Sequence, residues 1–178
     1  VGEGDRIVGV AGYAVRPARV RREKPRVASF TSADIPKILA LKPDLVLTFA
    51  DLQAEIAAAL LREGIAVMGY NQRTIAGILS MIRHLGATVG QGSRAQELAD
   101  QFENRLKNIA AQAEGKPRPR VYFEEWDDPM ITGIGWVSEI IAIAGGRDVF
   151  SELAGNEKAR DRFVTSERVI SAAPEVIL

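Results

Sequence analysis

Short uninterrupted apolar runs alternate with amphipathic stretches along the first half of the chain. Ile7-Val8-Gly9-Val10, Leu45–Phe49 and Ile65–Met68 read as strands covered on both faces, and Val27–Phe30 as a weaker one. The stretch Thr31–Asp34 reads as a helix start, its side-chain oxygens placed to accept from free amides. That helix must stop before Pro43, because a residue preceding proline avoids the helical region. Asp51 is placed to cap a second helix, in which Leu52, Ile56 and Leu60 recur every fourth position until Gly64 ends it. Thr74 caps a third, whose apolar face carries Ile75, Ile78, Leu79, Ile82 and Leu85. This strand–helix rhythm predicts a parallel sheet with right-handed crossovers.

The rhythm then changes. From Ser93 to Ala113, Leu98, Phe102, Leu106 and Ile109 share one face of a single helix, roughly 30 Å long at 1.5 Å per residue. Gly115-Lys116-Pro117-Arg118-Pro119 breaks it. Beyond the break, Val121–Phe123 predicts a strand, Glu124–Gly135 a loop and Val137–Ala144 an apolar helix stopped by Gly145-Gly146. Asp148–Phe150 predicts a brief pairing, Glu167–Ala172 a short helix capped by Ser166, and Val176–Leu178 a last strand. The expected fold class is α/β, two Rossmann-like lobes joined by one long helix. The expected division is an amino-terminal lobe at 1–91, a linking helix at 92–116 and an incomplete carboxy-terminal lobe at 117–178. Both ends read as cut: the chain opens on Val1 and closes inside an apolar run.

Composition narrows the chemistry. With 47% hydrophobic and 26% charged residues the balance is that of a globular chain. Lys+Arg and Asp+Glu both number 23, so no bulk field recruits nucleic acid or an anionic membrane. The absence of Cys excludes disulfides, thiolate catalysis and thiolate metal sites, and a single His, His84, excludes multi-His centres. His84 sits inside a predicted helix and reads as an ordinary, partly buried residue. No metal site and no catalytic residue is expected.

Three groups of residues remain as candidates. Glu124-Glu125-Trp126-Asp127-Asp128 follows a strand and precedes a helix, where open α/β sheets bind ligands. It reads as a solvated loop edge with Trp126 turned inward, as a ligand-lining loop, or as an acid pair for hydrolysis or cation binding. Neighbouring acids alone define no catalytic geometry. The basic stretch Arg16, Arg19, Arg21, Arg22, Lys24 and Arg26 reads as a solvated loop or as a contact for an anionic ligand, with no interleaved aromatics to suggest nucleic acid. Glycine-rich turns at Gly90-Gln91-Gly92 and Gly133-Ile134-Gly135 lack the third glycine of a dinucleotide fingerprint. Finally, Tyr13, Phe49, Tyr70, Trp126 and Met130 each fall just after a predicted strand. They either cap the cores or gather along a cleft between lobes, a lining that suits a large, flat, partly apolar ligand.

Gly4-Asp5-Arg6-Ile7-Val8-Gly9-Val10, Ile38–Leu47 (ILALKPDLVL), Leu61–Met68 and Ser138–Gly146 followed by Asp148-Val149-Phe150 occur in the order found in class III periplasmic binding proteins of ABC importers. The chain resembles that family along essentially its whole length, and most of all the cobalamin-binding members. Ferric siderophore and haem binders share the same phrases. The resemblance implies a non-enzymatic receptor without a cofactor of its own, which captures cobalamin or a related corrinoid between two lobes and delivers it to the ABC permease. A ferric siderophore or haem receptor is the alternative, and a carboxylate-dependent hydrolase using Glu124–Asp128 a lower-ranked one. It implies ligand contacts at Tyr13, Phe49 and Tyr70 and, in the loop before Thr132-Gly133, at Trp126, Asp127, Met130 and Ile131. It further implies permease docking through Glu55 and Glu167, a monomer, and a periplasmic or membrane-anchored extracellular location.

Overall fold

The computed structural model describes residues 1–178. It contains two compact units, Gly2–Gln72 and Arg73–Leu178.

The first unit opens with a 3-10 turn, Gly4–Arg6, followed by β1 (Val10–Ala11), α1 (Val20–Glu23), β2 (Arg26–Ala28), α2 (Ile35–Ala40), β3 (Val46–Thr48), a second 3-10 turn (Asp51–Gln53), α3 (Ala54–Arg62) and β4 (Val67–Gly69). β1 pairs in parallel with β2, and β3 in parallel with β4 through Val46–Val67, Leu47–Met68 and Thr48–Gly69. The first strand is shorter than its apolar run: Ile7 and Val8 are exposed, and pairing begins at Val10, whose N–H donates to the Pro25 carbonyl. Pro25 has no N–H with which to carry the ladder further back.

Local chemistry explains the helix limits. Asp34, not Thr31 or Ser32, caps α2, its Oδ1 accepting from the Lys37 N–H at 3.0 Å. Ser32 is already engaged, since its carbonyl accepts from the Ser29 N–H at 2.8 Å and the two hydroxyls lie 2.7 Å apart. Asp51 lies inside the turn before α3 and leaves the cap position to Gln53. Gly64 takes a positive φ of 79°, and the Ile65 N–H then closes onto the Leu60 carbonyl, the usual glycine-dependent helix stop.

The second unit contains α4 (Ile75–Thr88), α5 (Gly92–Ala113), β5 (Arg120–Tyr122), β6 (Glu124–Asp127), β7 (Met130–Thr132), α6 (Gly135–Ile143), β8 (Arg147–Asp148), a 3-10 turn (Ala159–Arg162), α7 (Ser166–Ala172) and β9 (Val176–Ile177). β5 is the centre of a parallel sheet in the order β8-β5-β9. Its two faces feed two cores: Tyr122 packs with Phe150, Val164 and Val169, and Val121 with Val137 and Ile141. This is the alternation expected of a strand covered on both sides.

Three sequence expectations change here. The unit boundary falls at 72/73, not at 91/92 and 116/117, so α4 and the long helix α5 belong together with the carboxy-terminal sheet. The two helices meet where Gly86 offers no side chain: a Cβ there would stand 2.0 Å from the Ala95 Cβ. Arg83 clamps the pair, donating to Gln96 at 3.1 Å, Asp100 at 3.1 Å and Glu103 at 2.8 Å. Glu139 of α6 ties in the start of α4 by accepting from the Ile75 N–H at 2.7 Å. Secondly, Glu124–Gly135 is not a loop, because β6 and β7 form an antiparallel hairpin turning at Asp128-Pro129. Thirdly, Thr165 caps α7, accepting from the Arg168 N–H at 3.3 Å, and Ser166 is the first helical residue. No helix is long and apolar enough to cross a membrane.

Candidate ligand-binding surfaces

In the first unit every strand is followed by an aromatic residue at its carboxyl end: Tyr13 after β1, Phe30 after β2, Phe49 after β3 and Tyr70 after β4. Three of them form one chain of edge-to-face contacts. The Tyr13 and Phe30 rings lie 6.2 Å apart at 88°, and Phe30 and Phe49 lie 5.4 Å apart at 63°. All three are open to solvent, at 71%, 44% and 51% relative exposure. An aromatic trio so exposed is not capping a core, since rings of this size gain most from burial. Nothing in the sequence sets Phe30 apart, since it reads there as the end of a strand. The signal that marks it is its offset, two residues beyond β2 as Tyr13 is two beyond β1.

The buried side chain of Gln53 joins two of these loops. Its Oε1 accepts from the Phe49 N–H at 3.0 Å and its Nε2 donates to the Phe30 carbonyl at 3.1 Å. Tyr70 stands apart from the ring contacts. It is half-buried and its hydroxyl donates to the Met68 Sδ at 2.8 Å. Burial pushes its phenol above the ordinary value.

The second unit presents the β6–β7 hairpin. Trp126 is 60% exposed, and its Nε1–H donates to the Asp128 carbonyl at 3.0 Å, which fixes the indole over the turn. Asp127, opposite Met130 in the ladder, is exposed. Met130 packs against the Tyr122–Phe150 core, and Ile131 forms a bridge with Phe163. Of the site residues expected here, Trp126 and Asp127 are thus presented to solvent, while Met130 and Ile131 serve largely to hold the hairpin.

The four acids of this segment go to different tasks. Glu124 accepts from the Tyr122 hydroxyl at 3.2 Å. Burial, reinforced by that bond, pushes the Tyr122 phenol up to about 12. Glu125 pairs with the guanidinium of Arg162, which is 3% exposed and also donates to the Thr132 carbonyl. Asp127 and Asp128 lie in the exposed turn. No group of three His, Asp or Glu side chains converges on a point where a metal could sit. The sole histidine, His84, is exposed on α4 rather than partly buried.

Glu55 and Glu167 are both exposed in the first turns of α3 and α7, one on each unit. The Glu167 carboxyl is held below the usual range, first by its own backbone N–H and then by the Thr165 hydroxyl. The amino terminus of α7 favours the ionised form of Glu167 in the same direction.

A family model described as periplasmic binding protein matches residues 1–178. The chain belongs to this family. Among this periplasmic binding protein's relatives are the vitamin B12-binding proteins of Salmonella typhimurium and Vibrio parahaemolyticus. The first is 29% identical over 174 residues, 96% of this chain and 64% of the relative. The second is 27% identical over 179 residues, 99% of this chain and 63% of the relative. The chain therefore spans a little under two thirds of the length of these curated relatives. Among solved structures, the periplasmic vitamin B12 binding protein BtuF of Vibrio cholerae superposes with a TM-score of 0.78 at 29% identity, covering 98% of this chain and 68% of that one. The periplasmic heme-binding protein RhuT from Roseiflexus reaches a TM-score of 0.82 at 24% identity, covering 99% and 68%, a likeness of fold. The α/β periplasmic binding protein fold expected from the sequence is the fold observed.

Proposed function

We propose that this periplasmic binding protein is a solute receptor, not an enzyme, that captures cobalamin or a related corrinoid outside the cytoplasmic membrane and hands it to an ABC permease. The observation that carries the reading is the solvent-facing trio Tyr13–Phe30–Phe49 at the carboxyl ends of the first unit's strands. A row of edge-to-face rings matches a broad, flat ligand with an apolar rim better than a small polar solute. Trp126 offers a second, separately supported aromatic surface on the other unit. The vitamin B12-binding relatives support the choice of corrinoid. Glu55 and Glu167 supply one exposed carboxylate per unit for a cationic permease surface, a kind of pairing that sets orientation and encounter rate more than affinity.

The test is a titration of the whole encoded protein with cyanocobalamin, haemin and a ferric siderophore, read by tryptophan fluorescence and calorimetry. Cobalamin should bind tightest, at one ligand per chain. Saturation by haemin or a siderophore under conditions where cobalamin leaves the signal unchanged would overturn the choice of ligand.

A further inference from the structure

We propose that Gln53 is the positioning residue of the aromatic platform: its buried carboxamide sets the spacing of Phe30 and Phe49, and through it the affinity for the ligand. This rests on the reading that the trio faces the ligand.

The geometry leaves little choice of side chain. The gap between the two loops presents one backbone N–H, from Phe49, and one backbone carbonyl, from Phe30. Filling it needs an acceptor and a donor on one planar group, which only a carboxamide supplies permanently. Gln53 is 7% exposed, so water does not readily replace either bond, and an unmet polar group there carries its full desolvation cost. Its backbone is fixed independently, because its own N–H donates to the Ala50 carbonyl at 3.0 Å in the turn before α3. The bond to Phe49 spans four residues, whereas the bond to Phe30 spans 23 and is the one that joins separate loops. On the far side, the Ser29–Ser32 turn and the Ala28–Ala33 bridge shape the Phe30 loop without reference to β3. The Gln53 Nε2 thus holds that pre-shaped loop at the distance that gives the 5.4 Å ring contact.

Gln53→Glu provides a reversible test. A carboxylate keeps the acceptor for Phe49 but turns a lone pair toward the Phe30 carbonyl, while a protonated carboxyl regains a donor. Affinity for cyanocobalamin is measured at pH 8 and pH 5 for wild type, Gln53→Glu and Gln53→Met. Wild type and Gln53→Met, measured at both pH values, report any pH dependence that does not come from the introduced carboxyl. Gln53→Glu should bind roughly tenfold or more weakly than wild type at pH 8, the loss expected for one broken buried bond, and recover part of that loss at pH 5, because burial at this position favours the protonated carboxyl. Gln53→Met should be weakened similarly at both pH values. In the ligand-free proteins, NMR ring-current shifts between Phe30 and Phe49 should be lost and regained in parallel. This second readout needs no ligand, so it stands even if wild type fails to bind cobalamin, an outcome that counts against the corrinoid reading alone. Wild-type affinity and ring shifts in Gln53→Met, or in Gln53→Glu at pH 8, would overturn the positioning role.

Discussion

Replacing Gly86 by Ala sets two effects of opposite sign against each other. Helix propensity alone favours alanine by about 1 kcal/mol in the interior of α4. The packing opposes it. The new methyl would meet the Ala95 Cβ at 2.0 Å and the Gln91 carbonyl at 3.0 Å, whereas carbon atoms rest about 3.5–4.0 Å apart. Ala95 is fully buried, and neither obstacle is the end of a flexible side chain, so α5 itself has to retreat by roughly 1.5–2 Å. That retreat pulls on the 2.7 Å bond from the Gln91 N–H to the Gly86 carbonyl and on the three acceptors of Arg83. Overpacking of this kind costs about 3 kcal/mol at the upper end of its usual range. Net of propensity, Gly86→Ala should lose about 2 kcal/mol, a fall of roughly 8–15 °C in Tm for a unit of this size. Thermal unfolding by circular dichroism, with urea titration as a second probe, measures it. Adding Ala95→Gly should restore more than half of the loss, although that change alone destabilises the helix. A Gly86→Ala protein as stable as wild type, or a double variant whose losses simply add, would refute the close-packing argument.

Further outcomes follow from the sites. Trp126→Ala should weaken cobalamin binding by roughly 1–3 kcal/mol with little change in Tm, since the ring is largely exposed; unchanged affinity in the folded variant would remove Trp126 from the ligand surface. The folded Tyr122 phenol titrates at about 12 against 10.0 for an unperturbed one. Its contribution to stability is therefore complete below pH 10 and disappears as pH rises through 12, at most roughly 2–3 kcal/mol. Tyr122→Phe should flatten this alkaline decline in a pH series of melting curves, and an identical decline in both proteins would sink the assignment. Glu55→Lys combined with Glu167→Lys should leave ligand affinity intact and abolish ligand-dependent transport in reconstituted vesicles. If binding disappears too, the two glutamates support the fold rather than docking.

The helices were the most legible part of the sequence. Thr74 and the periodic Ile75–Leu85 face announced α4, and the stripe from Leu98 to Ile109 announced α5 nearly to the residue. β3 and β4 were legible because Pro43 and Gly64 punctuate their apolar runs. What failed depended on partners distant in sequence. Four acids around one tryptophan look like a solvated loop until Arg162, 37 residues beyond Glu125, is seen to hold the hairpin. The grouping of α4 with α5 depends on a missing side chain at Gly86, which no periodicity reports. The apolar pattern carries a strand through Phe30, whereas β2 ends at Ala28 and leaves the ring beyond it. Position after a strand and the family resemblance single out Tyr13 and Phe49 in the sequence; the chain of ring contacts through Phe30 is information only the fold carries.

The brevity of the Val89-Gly90-Gln91 link between α4 and α5 bears on the route by which the second unit forms. Two amphipathic helices joined by so short a connection can find each other in an early, local step with little loop-closure entropy. β5 is in the opposite position. Its Arg120 N–H must meet Glu175, 55 residues further on, before β9 docks beside it. The helix pair is therefore the natural nucleus and the β5–β9 ladder the late event. Substitutions at Gly86 and Ala95 should act chiefly on the refolding rate, and those at Val176 and Ile177 on the rate of unfolding.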